Sequence, residues 1–523
     1  MRIVSIVFSL LLAITPAIVS AQEQPNDNLV ENGVFLPELL RSNPNVSIFY
    51  NALVATHLKD TLEQYIDPNY PEIEYEWTAQ ALRDHYSGVH AYSTAYETDY
   101  IAYPERREFK YTFFVVTDSA LLSYGIHNLD DLRDYAKSVY PEGAGLEDDD
   151  RASSLNKLLS YHILPFWLPY DQFNTSQSRI IKNRKYLDEF DVEDFFETLL
   201  PHSVMRISTP YEVSEKPLGI FINRKGTIKT GLEAEGILIS KDYNSCINGG
   251  YYYVEKPLLY DLQTRNNILN TRMRIMACTL SPDFINSGAR GRLNGDPANG
   301  GNQYLNRMVY SFRPGFCKNV EWNDVPTNIF VRYRDANFGT YYGDELSIIG
   351  PFDIIFRLPA VPSDGLYEIR IWNNSMAWSS WNPRGTVLFY TRNEDGDFVP
   401  CGTPVDCHMS LEDPQIGGVR DNDFDYGYDA SESQKQDSIN ANDKLLHKRG
   451  YLKAPDSYGT SSLLRDDMGC YRKIISEQYM KSDKDYYLRL RQVGMDGAVF
   501  AFNFIEIVPY SVYSGENGPE DKH

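Results

Sequence analysis

Three of the six tryptophans stand within one short stretch, IWNNSMAWSSWNP, as Trp372, Trp378 and Trp381. An exposed indole can lie against the apolar face of a sugar ring while nearby Asn and Ser groups orient its hydroxyls. Trp372 closes an alternating strand and reads as core. Trp378 and Trp381 fall in a Ser/Asn-rich loop and are the candidate carbohydrate-binding residues; the other reading packs them over the end of a sandwich. A second stretch, DNDFDYGYDASE, places Asp421, Asp423, Asp425 and Glu432 at positions 1, 3, 5 and 12 of a calcium loop. Position 6 should be the glycine that makes the sharp turn, but it is Tyr426, with Gly427 one residue late. A solvated acidic loop leading into a helix is the better reading, and no metal is expected.

No HExxH, G-x-S-x-G or Walker loop occurs, and the glycines at 288, 291 and 295 lack the strand–turn–helix context of a dinucleotide site. His85 and His90 lie five apart in a polar segment, which is not metal spacing. The 72 acidic residues offer many carboxylate pairs for glycoside hydrolysis and single out none. No catalytic residue is assigned, and no cofactor is expected. Six cysteines, at 246, 278, 317, 401, 407 and 470, are too sparse for a disulfide framework, and no CxxC suggests zinc. Cys401 and Cys407 are close enough to staple a small loop; the alternative is free buried thiols.

The formal net charge of −22 argues against a nucleic-acid partner and fits a solvated extracellular surface. Tyrosine, with 39 copies, suits β-rich extracellular domains. The opening MRIVSIVFSLLLAITPAIVSA, residues 1–21, reads as a secretory signal cleaved after Val19-Ser20-Ala21. A membrane anchor is the weaker reading, because the apolar run is short and a small-residue site follows directly. No cysteine near this junction would accept a lipid, and no later segment is apolar over the roughly 20 residues that a bilayer requires. The mature chain is therefore expected to be exported, with no transmembrane segment.

The elements that must hold these residues fall into two blocks. Residues 22–34 are a polar leader, and 35–66 have helical spacing. A Tyr-rich insertion, 67–108, leads into YTFFVVTDSALLSYG, a buried strand that breaks into a helix. There Thr117 suits the N-cap and Asp118 the positive end of the helix dipole. Helices over 129–141 and 152–164 are closed by Pro141 and Pro165. Strands over 203–260 include a hairpin across Asn248-Gly249-Gly250. A helix over 262–282 and the Gly/Asn-rich loop to 304 connect to the second block. From 305 to 510 the period is two, as in an antiparallel sandwich or jelly roll, interrupted by a polar helix at 429–448, and 511–523 is a polar tail.

Three boxes in order, YTFFVVTDSALLSYG, LNKLLSYHIL and NGGYYYVEKPLLY, resemble the landmarks of the fasciclin domain across about 40–260. The resemblance implies an α+β fasciclin-like domain over 35–261, followed by an all-β, jelly-roll-like sandwich similar to carbohydrate-binding modules. Thr117, Asp118, Tyr161 and His162 then carry the fasciclin motif, with His162 a buried group tying helix to strand rather than a catalyst or ligand. The pairing implies a non-enzymatic bacterial envelope protein for adhesion or capture. Its first domain would contact protein or matrix, and its sandwich would contact glycan. A glycan-processing enzyme with its site in the sandwich, or a purely structural envelope component, are the alternatives.

Overall fold

Tyr111–Val116 is buried along its whole length in the computed structural model, as its apolar run predicts for a strand covered on both faces. The structure describes residues 33–70, 101–102, 106–173, 190–211, 218–226, 236–287, 307–311, 315–322, 328–333, 344–375, 384–424, 431–455, 464–493, 498–516, 520 and 522. Residues 1–21, read from sequence as a signal, and Trp378, Trp381 and Asp425 lie outside these residues.

Tyr111–Val116 runs parallel to Gly249–Val254 and antiparallel to Ile163–Leu164. Ile237–Cys246, Phe221–Ile222, Val204–Tyr211 and Phe190–Glu197 extend the sheet to seven strands. Phe49, Leu53, Leu132 and Leu158, from helices Ser47–Ala55, Leu129–Val139 and Ser154–Tyr161, share one apolar core with Phe113 and Phe114. At the strand–helix corner, Thr117 accepts a hydrogen bond from Ala120 N–H at 3.3 Å, so the hydroxyl caps the helix it precedes. Asp118 serves a different helix. Its carboxylate accepts from Ser47 N (3.0 Å), Ser47 Oγ (2.6 Å) and Ile48 N (3.0 Å), at the start of Ser47–Ala55.

His162 is fully buried at the end of Ser154–Tyr161. Its Nδ1 lies 2.7 Å from Phe114 O, and its Nε2 accepts from Leu258 N at 2.9 Å. The second contact requires an unprotonated Nε2, so the ring is neutral and its Nδ1–H donates to the carbonyl. Neighbouring Tyr161 is also buried; its hydroxyl donates to Val204 O (3.1 Å) and accepts from Asn223 Nδ2 (2.8 Å). Burial pushes the His162 pKa from 6.5 down to about 4, against the pull of the Phe114 carbonyl. The unfolded chain binds the proton first, so the folded state loses about 3 kcal/mol as pH falls from 6.5 to about 4. Thermal midpoints measured across that window should fall for the native chain, and His162→Asn, less stable throughout, should lack this contribution.

Among the described residues the rest of the chain forms three further sheets, and no sheet closes into a barrel. The architecture is thus mixed α and β with several antiparallel sheets. One sheet joins Ile101–Ala102, Arg307–Ser311, Asn328–Tyr333, Asp344–Ile349 and Val499–Phe502. A second joins Val320–Trp322, Asp353–Arg357, Tyr486–Val493, Thr386–Asn393 and Val399–Pro400, with Val405–Asp406 also on Thr386–Asn393. The third runs Tyr451–Lys453, Cys470–Met480, Gly365–Asn374, Phe504–Pro509, Met273–Met276.

Two sequence expectations need correction. The connector is not one helix over 262–282: the first helical turns stop at Leu269, Met273–Met276 is an edge strand on Phe504–Pro509, and helical turns resume at Ala277–Thr279. The reason is a period of two in MRIM. Ile275 pairs with Ile505 in the apolar core, and Arg274 pairs with Glu506 on the opposite face. The Tyr-rich insertion is not confined to the first block either, because Ile101–Ala102 pairs in parallel with Arg307–Ser311. Arg107 clamps Asp283 through two 3.0 Å hydrogen bonds and reaches Asp67 at 3.2 Å. One apolar cluster consequently runs through both blocks. All six cysteines are free thiols; Cys401 is half-buried and the other five are buried.

Candidate anion site

The third sheet separates its side chains by chemistry. Ile369 and Ile371 on the central strand align with Ile507 and Ile505, and Ile505 with Ile275, on one face. On the other face, Arg370, Glu506 and Arg274 stand directly opposite one another on three adjacent strands. Arg472, opposite Trp372, and Glu368 complete this charged layer. Glu506 has no exposed surface. It accepts from Arg274 Nε at 2.8 Å, from Arg370 Nη1 at 3.3 Å, and from Arg472 Nη1 at 3.3 Å to each oxygen. Burial alone would raise its pKa, but the guanidinium groups of Arg472, Arg274 and Arg370 hold it well below the carboxylate range. Glu368 accepts from Arg370 Nε at 2.8 Å and faces His447 Nε2 at 2.8 Å.

Over this face lies the helix Glu432–Lys448, opened by a capping box between Ser431 and Gln434. Between helix, sheet and the segment beyond Tyr513 is a cavity of about 530 Å³. Its lining carries six cations, Lys444, Lys448, Lys453, Arg465, Arg472 and Lys522, against two carboxylates, Asp443 and Glu520. A chain of net charge −22 thus encloses a locally positive cavity.

Five of the lining charges, Lys453, Arg465, Arg472, Asp443 and Glu520, are ion-paired. Lys453 Nζ lies 2.7 Å from Asp421 Oδ1, Arg465 donates to Asp421 at 2.8 Å and to Asp443 at 2.7 Å, and Glu520 accepts from Arg370 at 2.8 Å. Lys444 and Lys448 differ. They are exposed, stand one turn apart on the helix, and have no ion pair among the described residues. Two like charges at this spacing repel, by a few tenths of a kcal/mol, so nothing within the helix explains the pair.

The sequence candidates fare unevenly. Asp421 is not a solvated loop acid, because Lys453 and Arg465 hold it, below the usual range despite burial. It starts the turn Asp421–Phe424, Glu432 begins the following helix and is exposed, and Asp425 lies outside the described residues. Trp372 is fully buried, 5.1 Å from the Phe504 ring. Thr117, Asp118, Tyr161 and His162 all serve the first sheet and its helices, away from this cavity. The lysines were not singled out from sequence, where DKLLHK reads as the end of a polar helix. The available signal is charge inside each of several otherwise apolar strands: Arg274 in MRIM, Glu368 and Arg370 in EIRIW, Arg472 and Lys473 in CYRKII, and Glu506 in FIEIVP.

One grouping among the described residues has metal-ligand spacing: His202, Glu394 and Asp485. Arg357 donates to Asp485 at 3.2 Å and to Glu197 at 2.6 Å, and Lys484 pairs with Glu394. Cations of the chain already neutralise these carboxylates, and the grouping reads as an ion-pair seam between the blocks. No family model matches the chain, and no curated protein is detectably similar to it. No described helix is long and apolar enough to cross a membrane.

Proposed function

We propose that this chain is a non-enzymatic, exported envelope protein that captures an anionic ligand in its sandwich block. In this reading the fasciclin-like block contacts protein or matrix. The observation that carries the proposal is the positive cavity with Lys444 and Lys448 unpaired at its edge. Charged side chains placed around a recess steer and select ligands of the opposite sign. The volume lies within the roughly 300–1,000 Å³ of small-molecule sites. A catalytic reading gains less support, since Arg465 holds Asp443 and Arg370 holds Glu520, which leaves neither poised as a general acid.

A glycan array carrying sulfated, uronate and neutral sugars tests the proposal. Anionic glycans should be retained by the native chain. Lys444→Glu/Lys448→Glu should weaken that retention about tenfold or more, and added salt should weaken it further. Retention that ignores the charge reversal would overturn the site. Neutral-glycan binding lost in Trp378→Ala/Trp381→Ala would move the site to the tryptophan loop.

A further inference from the structure

We infer that the cavity takes a carboxylate, carried on a sugar acid, in the place that Glu520 holds. This rests on the reading that the cavity binds an anion. The Glu520 carboxylate accepts from Arg370 Nη1 at 2.8 Å and Arg272 Nη1 at 3.0 Å, with Arg472 Nη1 at 3.6 Å. Three guanidinium groups therefore converge on one carboxylate that comes from outside the sheet. Within this layer Arg370 and Arg472 also meet Glu506, and Arg370 meets Glu368.

The receptor is built whether or not Glu520 is in it. Cross-strand pairing fixes Arg370 opposite Glu506 and Glu506 opposite Arg274, and Arg472 also donates to Lys453 O at 2.9 Å. Guanidinium forks held in this way are matched to the two oxygens of a carboxylate. Glu506 is the buried floor, at 0% side-chain exposure, whereas Glu520, at 16%, lines the cavity. Exchanging the Glu520 carboxylate for another conserves charge and hydrogen bonds at the arginines. The carboxylate itself gains nothing over Glu520; the remaining groups of a larger ligand extend into the cavity that Lys444 and Lys448 line.

The wall favours a sugar as carrier. The Tyr513 ring lies over His447 at 6.2 Å and 30°, giving a flat aromatic face on the cavity, with Asn440 and Ser514 beside it as hydrogen-bonding groups. A ring with an apolar face and hydroxyl edges fits this combination. Glu520 then acts as a tethered competitor. A short tether gives an effective concentration of about millimolar, which lowers the apparent affinity of any free carboxylate.

The test titrates trigalacturonate into the full chain and into Glu520→Gln by calorimetry. Its methyl ester, triglutamate and inorganic sulfate serve as further probes. The expected result is binding to the native chain, affinity about tenfold or more higher in Glu520→Gln, and no binding of the methyl ester. In the unaltered chain, saturating trigalacturonate should shift the Glu520 carboxyl-carbon resonance toward that of a solvated carboxylate. This readout stands even if the variant fails to fold. Unchanged or weaker affinity in a folded Glu520→Gln, or an unmoved Glu520 carboxyl resonance, would overturn the inference. Triglutamate binding as tightly as trigalacturonate would overturn the sugar. Sulfate binding that Lys444→Glu/Lys448→Glu abolishes and Glu520→Gln leaves unchanged would overturn the carboxylate exchange while keeping the anion site. Failure of every probe would remove both.

Discussion

Glu506→Gln is expected to lower the thermal midpoint of the second block by about 10 °C or to prevent its folding. The carboxylate is completely buried and is shared by Arg274, Arg370 and Arg472. Neutralising it leaves these cations against an amide that can accept through one oxygen only. Removing one partner of a buried ion pair costs about 3–5 kcal/mol, because the remaining charge is left uncompensated in a poor solvent. For a unit of about 150–250 residues each kcal/mol moves the midpoint by about 2–4 °C. Calorimetry on the two chains measures this directly, and a midpoint within about 2 °C of the native value would show that water or the neighbouring glutamates compensate. Acid should act on the same layer in a defined window. The Glu506 pKa is held down, so its contribution is complete above about 4.5, its unfolded value, and fades as pH falls below it. The His162 contribution begins to fade near 6.5, so the two halves of an acid titration report different blocks.

Gly249→Ala should abolish folding of the first sheet. Gly249 has φ +127°, in the region that side chains avoid, and an added Cβ would lie 1.9 Å from Tyr111 O. Tyr111 and Gly249 are register partners at the start of the parallel ladder between Tyr111–Val116 and Gly249–Val254. The contact is backbone against backbone, so no rotamer change relieves it. Strain at such a position costs about 1–3 kcal/mol before the overlap is counted. Gly125→Ala is the control: its φ is +73° but its Cβ would meet nothing within 4 Å. It should cost about 1–2 kcal/mol and leave the chain folded. Soluble yield and circular dichroism separate the two outcomes, and a folded Gly249→Ala would mean that the ladder can shift.

What could be read in advance was local. The four apolar residues Phe113–Val116 and the capping chemistry of Thr117 specify a buried strand turning into a helix without reference to the rest of the chain. Asp118 shows the limit. Its preference for a helix N-terminus was correct in kind, but the amides it binds belong to Ser47 and Ile48, far away in sequence. The charged layer was hidden for the same reason. An arginine or glutamate in an alternating strand looks like a solvated face until the strand order sets Arg370, Glu506 and Arg274 in one row. A four-residue strand such as Met273–Met276 has too little periodicity to oppose a neighbouring helical run. Spacing alone makes Asp421 a cation ligand, whereas the cations it meets are Lys453 and Arg465 of the chain itself.

The edge strand Met273–Met276 also sets the order in which the molecule can be completed. Synthesis delivers the N-terminus first, and domains fold as their segments become available. The last strand of the first sheet in chain order, Gly249–Val254, arrives early, so that sheet can close while the second block is still being made. Met273–Met276 must wait for Phe504–Pro509, which lies between it and Gly365–Asn374. Until then Met273–Met276 has no strand partner, and such pairing between distant segments forms slowly. A chain that stops short of Pro509 would carry a finished first sheet and an open second block with two unpaired strand edges, the kind of surface that draws aggregation and proteolysis.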